Sequence, residues 1–598
     1  MSSFLYGLGR AAARSRRAVL LAWLTVLVVL GAAAGLLAGE FDEEFSLPGT
    51  ESQVALDSLG RTFPQASGTT AQLIVVVPPG ESVRTAANRK QIEASVDRFE
   101  AQPGVDEVTS PFDKYAKGVI SEDRRAAIVT VKLTVDAGSI APETYTDIEN
   151  ETIRLQDSIP GSVTSIGGEA YNDNRPGLSL VEGVGVLVAL IVLFLTLGSL
   201  RAAGMPLLTA LLGVGLTMVL IFGATGITTV SSTTPLLALM LGLAVGIDYA
   251  LFIVSRHREQ LRDGMEPQES IARAVATAGS AVVFAGLTVM IALGGLAVAQ
   301  IPFLTTMGVA AAVGVAIAVL IALTLLPALL GFAGEKLRPK VKKPKALRQA
   351  RRTKAARGTA VRAEPVEAQA EGTRQRGLAQ RWVRLVTAVP VLTVVVVVAG
   401  LGAMAYPAKD LRIALPSNGT ADPGSHARVT YDLVAEHFGP GYNGPLIVSA
   451  TIVGSDDPLG VMDGIADELR ALPGVASVPL ATPNEDASTG IVQVIPVDGP
   501  DSEQTKDLVR EIRSRKAQIA DEYGVPIYVT GYTAVAIDVS YRLGAALIPF
   551  GLLVVGLSLV LLAMVFRSIA VPLKATIGYL LSVGAAFGAT AMVFEYGW

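Results

Sequence analysis

Hydrophobic positions along the chain follow two patterns. One is the unbroken apolar run of about 20 residues, as in AVLLAWLTVLVVLGAAAGLLAG, long enough to cross a hydrocarbon core of about 30 Å as a helix. Nine membrane helices are predicted this way, at 18–38, 181–199, 204–224, 233–255, 279–300, 303–331, 386–406, 543–566 and 572–594. The other pattern occupies two long polar stretches, 39–180 and 407–541. There, short period-two runs such as QLIVVV and AAIVTVKLTV alternate with helical ones such as NRKQIEASVDRFEAQ. The second stretch repeats the scheme with PLIVSATIV, PLGVMDGIADELRAL, PGVASVPLA, GIVQVIPV, SEQTKDLVREIRSRKAQI and PIYVTG. Strand, helix, strand, strand, helix, strand predicts a small ferredoxin-like α+β domain in each.

The two stretches belong to a duplication. SLPGT, LGRTFPQASGTTAQLIVVV and QPGVDEV in the first answer to ALPSNGT, VAEHFGPGYNGPLIVSA and LPGVASV in the second. SLRAAGMPLLTALLGVG (199–215) aligns without a gap to SIAVPLKATIGYLLSVG (568–584). Matches in the same order point to an internal repeat. Six apolar helices fall in the first half and three in the second, so the second half reads as truncated. Either the chain is a fragment or its second half has lost three helices.

Charge sets the orientation. Arg10, Arg14, Arg16, Arg17, Arg201, Arg256, Arg258, Arg262, Arg567 and Lys574 all fall on one side, which the positive-inside rule makes cytoplasmic. The segment 332–385, with KLRPKVKKPKALRQARRTKAAR, reads as a disordered basic cytoplasmic linker, and a tether lying on anionic lipid explains it as well as regulation does. The two polar stretches are therefore extracytoplasmic. The arginines before the first helix also suit a signal peptide, but its apolar core is too long for one, and the helix is expected to be retained.

Composition agrees with a multi-pass membrane protein. Of 598 residues 51% are hydrophobic and 17% charged, and the mean hydropathy is +0.49. A net charge of −4 gives no reason to expect nucleic acid, and with no cysteine the exported domains carry no disulfide.

Against that background one side chain is out of place. In LGLAVGIDYALFIVSR (241–256) Asp248 sits inside an apolar helix, where a carboxylate disfavours insertion by about 2.5–3.5 kcal/mol. Gly242 and Gly246 form a G-x-x-x-G spacing that lets another helix approach. Leu241, Ala244, Asp248, Phe252 and Ser255 share roughly one face, so the acid and Phe252 are expected to point into the bundle. Tyr249 or Thr288 is a candidate hydrogen-bond partner. Burial would raise the carboxyl pKa toward the range of proton exchange. A structural acid satisfied by a neighbouring hydroxyl is the alternative.

GIDYALFIVSRHREQL on the fourth helix, FSLPGTESQVALDSLGRTFP after the first, the paired exported domains and the six-helix repeat resemble the MMPL ("mycobacterial membrane protein large") transporters of the resistance-nodulation-division superfamily. The resemblance implies that Asp248 and Tyr249 form a proton relay facing a second Asp-Tyr pair on a tenth helix. It also implies export of lipids or other hydrophobic molecules driven by the proton gradient. This sequence departs from the family pattern in ending before a tenth helix.

Other chemistry is weakly represented. No G-x-x-x-x-G-K-[ST] or G-x-S-x-G occurs, and GLGAMA (400–405) matches G-x-G-x-x-A inside a membrane helix with no preceding strand. His257, His426 and His437 lack metal-ligand spacing, and His257 reads as part of the cytoplasmic basic patch. Glu182 and Asp538, near the outer ends of the second and eighth helices, are candidate substrate-side acids or plain solvated helix-end carboxylates. The expectation is a transporter in the cytoplasmic membrane, not an enzyme, with protons, membrane lipid and a hydrophobic substrate as partners and no cofactor or metal. Antibiotic efflux on the same motor and a non-transporting sensor or assembly scaffold are the alternatives.

Overall fold

The computed structural model describes residues 1–339 and 378–597, apart from 40, 42–46, 64–68, 115, 136–139, 172–179, 412–414 and 416. The core of the expected linker, 340–377, lies outside the described residues, as do the acidic Glu40, Asp42, Glu43 and Glu44.

The chain opens with an amphipathic helix absent from the sequence expectation, α1 (Ser2–Arg14), whose Leu5, Gly9, Ala12 and Ala13 are buried. It is followed by the apolar α2 (Arg16–Leu37) and the short α3 (Glu51–Thr62). The first polar stretch then folds as β1 (Thr70–Val76), α4 (Ala86–Glu100), β2 (Val105–Thr109), β3 (Ala126–Leu133), α5 (Pro142–Ser158) and β4 (Val163–Gly167). All pairings are antiparallel, in the order β2-β3-β1-β4.

Five membrane helices come next: α6 (Leu180–Leu197), α7 (Leu200–Ala224), α8 (Thr234–Arg262), α9 (Pro267–Gly294) and α10 (Pro302–Leu323). The backbone leaves helical angles at Thr324 (φ −122°, ψ −63°), and α11 (Leu325–Ala333) completes the span that the sequence shows as a single apolar run. In the second half α12 (Leu378–Ala388) is separated from α13 (Pro390–Ala405) by Pro390, which supplies no N–H to a continuing helix. The second polar stretch contains α14 (His426–Phe438), β5 (Leu446–Thr451), α15 (Pro458–Arg470), β6 (Val475–Pro483), β7 (Thr489–Pro496), α16 (Glu503–Ser514), α17 (Lys516–Tyr523) and β8 (Ile527–Thr530). Its antiparallel order is β6-β7-β5-β8. The helical run 502–519 is thus two helices, broken at Arg515. Two long helices follow, α18 (Tyr532–Phe566) and α19 (Ala570–Phe594).

Eight helices among the described residues are long and apolar enough to cross a membrane, and Glu182–Leu197 is a shorter apolar helix. Helix α18 begins at Tyr532, directly after β8, so one 35-residue rod joins the second module to the membrane without a hinge loop.

Each sheet has two apolar faces, and this decides how the modules are built. In the first, Leu73 and Val75 of β1 pack under α4 and α5 with Ile92, Phe99, Ile148 and Leu155, all fully buried. The alternate residues Ile74 and Val76, with Ala126 and Ile128 of β3, are covered by Val434 of α14, from the other half of the chain. The exchange is reciprocal. On the second sheet Leu446, Val448 and Ala450 face α15 and α16, while Ile447, Leu480 and Ile491 meet Leu59 and Phe63 at the end of α3. Polar contacts fix both crossings. Thr430 Oγ1 bonds Ser165 Oγ at 2.8 Å, and Asn418 Nδ2 donates to Gly168 O at 2.9 Å. Thr530 Oγ1 donates to Ser52 O at 2.7 Å, and Asn484 Nδ2 to Thr62 O at 2.9 Å. A Cβ on Gly167 would lie 2.8 Å from Thr430 Cβ, so glycine is what admits α14 this close.

Candidate functional site in the membrane helices

Helix α8 lies against α7, α9 and α10. Its packed face is the row Gly242, Gly246, Tyr249, Ala250, Ile253 and His257. A Cβ on Gly242 would approach Val214 Cγ2 to 3.0 Å, and one on Gly246 would lie 3.2 Å from the Ala210 Cα. The G-x-x-x-G spacing therefore sets the α7–α8 contact. Tyr249 is 7% exposed and lies beside Gly286 of α9, where a Cβ would come within 3.8 Å of the Tyr249 Oη.

Asp248 is the middle residue of the 29 in α8, about 21 Å along the axis from either end. The structure corrects the expected direction of its face. Ala244, Asp248, Phe252 and Ser255 are exposed, and Phe252 is 62% accessible, so it does not pack around the relay. The face was identified correctly by helical spacing, but the glycines lie on the opposite side and take the neighbouring helices there. Among the described residues no hydrogen bond or ion pair reaches the Asp248 carboxylate. Thr288 does not serve as its partner: Thr288 Oγ1 donates to Phe284 O of its own helix at 2.9 Å. Tyr249, adjacent in sequence, faces the packed side.

Gly246→Val is expected to force α7 and α8 apart and abolish monodisperse, folded protein. Phe252→Ala leaves the thermal midpoint in detergent within experimental error. Fluorescence-detected size-exclusion with a thermal ramp measures both.

Of the two outer acids, Glu182 lies half-buried in the first turn of α6. Asp538 is held in an ion pair rather than free in solvent. Arg513 Nη1 and Nη2 donate to its two oxygens at 2.7 and 2.8 Å, and Ser52 Oγ donates at 2.5 Å. Arg513 Nε also sits 3.7 Å from Glu51 Oε2, and Lys516 Nζ 3.2 Å from Glu51 Oε1. Burial pulls the Arg513 guanidinium down, but the bond to Asp538 outweighs it and holds the group above its ordinary pKa. This cluster ties α3, α16 and α18 together. Asp538→Ala is expected to lower stability by about 2–3 kcal/mol, near the low end for an uncompensated buried charge because the side chains keep 13–23% exposure. In chemical denaturation the Arg513→Ala/Asp538→Ala double variant should lose less than the two single losses added.

His257 is also displaced from its expected place in the basic surface patch. It is fully buried, with Nδ1 2.8 Å from Ser270 Oγ, which in turn lies 3.0 Å from Gln260 Oε1. The residues that sequence reasoning missed are those of the crossed helices, above all Ser52, Thr430 and Val434. The signal was present in QLIVVV, which is apolar at successive positions and so must be buried on both faces.

The architecture is that of a multi-pass membrane protein with two small α+β modules of the same strand order and an ionisable residue midway along one apolar helix. A family model described as MMPL family matches residues 44–399 and 467–597. The chain belongs to the MMPL family, whose members are membrane transporters. It is 37% identical over 610 residues to "Membrane protein YdfJ" of Bacillus subtilis, covering 100% of this chain and 78% of that protein. It is 27% identical over 609 residues to "Mycolic acid-containing lipids exporter MmpL11" of Mycolicibacterium smegmatis, covering 98% of this chain and 60% of that one. It is also 27% identical over 610 residues to "Heme uptake protein MmpL11" of Mycobacterium tuberculosis, with 99% and 60% coverage. The chain therefore spans well under the full length of the MmpL11 relatives.

Proposed function

We propose that this protein uses the proton gradient to export lipids or other hydrophobic molecules across the cytoplasmic membrane, with Asp248 as the proton-carrying group and Tyr249 beside it. The observation that carries the reading is the position of Asp248: at the centre of a membrane helix, on a face otherwise occupied by Ala244, Phe252 and Ser255. An acid there costs insertion energy and secures no fold contact among the described residues. Charge on that face can change with protonation, and so can the arrangement of helices that a low-dielectric surrounding favours. A proton crossing the membrane releases about 2.3 kcal/mol per 100 mV, enough to bias such an equilibrium.

The arginine-rich ends of the helices are taken as cytoplasmic, with the N-terminus and the 332–385 linker on that side. The shared strand order supports a ferredoxin-like assignment, as does the strand-helix-strand-strand-helix-strand succession, whose second helix is split in two in the second module. These modules, at 39–180 and 407–541, form the substrate path outside the membrane. The printed names of the relatives favour a hydrophobic cargo, since one is named for lipid export and another for heme uptake. Efflux of a small hydrophobic drug on the same motor is the second reading. Lipid profiling of a deletion strain alongside drug-susceptibility testing separates the two: accumulated lipid with unchanged susceptibility supports export of lipid, and the converse supports efflux.

A further inference from the structure

Tyr249 leaves α8 on the packed side and ends in a buried cluster with Val282 of α9 and Val319 of α10. Beside the phenol, α9 carries Gly286. A Cβ at 286 would lie 3.6 Å from Tyr249 Cε2 and 3.8 Å from Tyr249 Oη, and it would collide with Val319 Cγ2. Three helices therefore meet where the backbone of one is bare. Glycine weakens a helix relative to alanine, so its presence in mid-helix asks for a contact that offsets the cost.

Helix packing alone does not set this glycine apart. Gly279, two turns earlier on the same face of α9, also meets α10, and a Cβ there would lie 2.9 Å from Leu323 Cδ2. Leu323 offers the free end of a flexible side chain, which can turn aside. Val319 is β-branched and keeps essentially one χ1 rotamer in a helix, so it stays where it is. A side chain at 286 is thus driven off α10 toward the phenol, or α9 moves and withdraws the support under the ring. Tyr249 is among the nearest neighbours of Gly286 and not of Gly279.

We infer that Gly286 is a positioning residue for the proton relay: its bare backbone, backed by Val319, fixes where the Tyr249 hydroxyl stands relative to Asp248. This role rests on the proton-driven reading above and adds the residue that sets the geometry of the relay. The hydroxyl sits at the far end of a ring whose own torsion is soft, so packing along the ring edge decides its place. Proton transfer needs donor and acceptor within about 2.6–3.2 Å, directly or through one water, so a small displacement there is costly.

The test uses the protein expressed from its full reading frame, in proteoliposomes with a fluorescent lipid and an imposed gradient, at a series of pH values. Gly286→Ala should lower transport roughly 10–100-fold and give the pH profile of Tyr249→Phe. Adding Val319→Ala makes room for the new methyl and leaves it in ordinary contact with Tyr249, so most of the rate and the wild-type profile should return. Added to Tyr249→Phe, Gly286→Ala should reduce the rate no further, since the hydroxyl it misplaces is already gone. Gly279→Ala should leave rate and profile unchanged.

Wild-type transport by Gly286→Ala overturns the proposal. So do losses that multiply in the Tyr249→Phe background, an equal effect of Gly279→Ala, or no return of transport with Val319→Ala, each of which marks plain packing. Should Gly286→Ala fail to run as a monodisperse peak, Gly286→Val/Val319→Ala decides instead. That exchange conserves volume between α9 and α10 and brings bulk to the phenol, so the protein should fold and lose transport. Wild-type transport by it overturns the proposal. Asp248→Asn keeps the two readings apart: full transport by that variant removes the relay itself, whereas with it inactive the outcomes above bear on Gly286 alone.

Discussion

Asp248→Asn should yield protein that folds as well as the wild type and transports nothing above background. The substitution keeps shape and removes the ability to take up and release a proton. Asp248 is exposed on its helix and makes no hydrogen bond among the described residues, so stability should change by no more than about 0.5 kcal/mol. Expression level, size-exclusion profile and thermal midpoint check that half. Proteoliposomes with an imposed pH gradient and a fluorescent lipid check the other. Export at the wild-type rate by this variant, expressed to the wild-type level, would remove the proton from the mechanism. A variant that fails to fold would instead show that the acid is structural, contrary to its exposed position.

The second large effect concerns the crossed helices. Residues 47–171 produced alone should not fold cooperatively, although they contain every strand of the first sheet. Without α14, Ile74, Val76 and Ile128 face water. At roughly 1.5–3 kcal/mol per side chain this amounts to about 5–9 kcal/mol, comparable with the whole stability of an ordinary domain. Fusing His426–Phe438 to the C-terminus through a Gly/Ser linker should restore a sharp thermal transition by circular dichroism and dispersed amide resonances. A cooperative melt of the unfused segment would show that the α14 contact is dispensable.

Much of this architecture was legible because the bilayer imposes a coarse rule. Apolar runs near 20 residues announce membrane helices whatever their neighbours, and the period-two runs from QLIVVV to PIYVTG announced the strands. Partnership was harder to read. Helical spacing placed Asp248 and Phe252 on one face, but spacing has no sign: it does not tell which face meets protein. The glycines do, since Gly242 and Gly246 exist to admit Val214 and Ala210. Asp538 misled for a related reason. An acid near a helix end looks solvated in a linear string, while its partner Arg513 sits 25 residues earlier, on another element. The exchange of α3 and α14 is a contact over 265 residues at Thr430 and Ser165, beyond the reach of any local pattern.

That long contact also orders events during synthesis. When β4 leaves the ribosome, the first sheet has its own two helices and one uncovered greasy side. Translation must proceed through the membrane helices that follow, for tens of seconds at about 5–20 residues per second, before the covering helix emerges. Through that interval the nascent chain carries a sticky surface outside the bilayer, the period in which a holdase would have the most to protect.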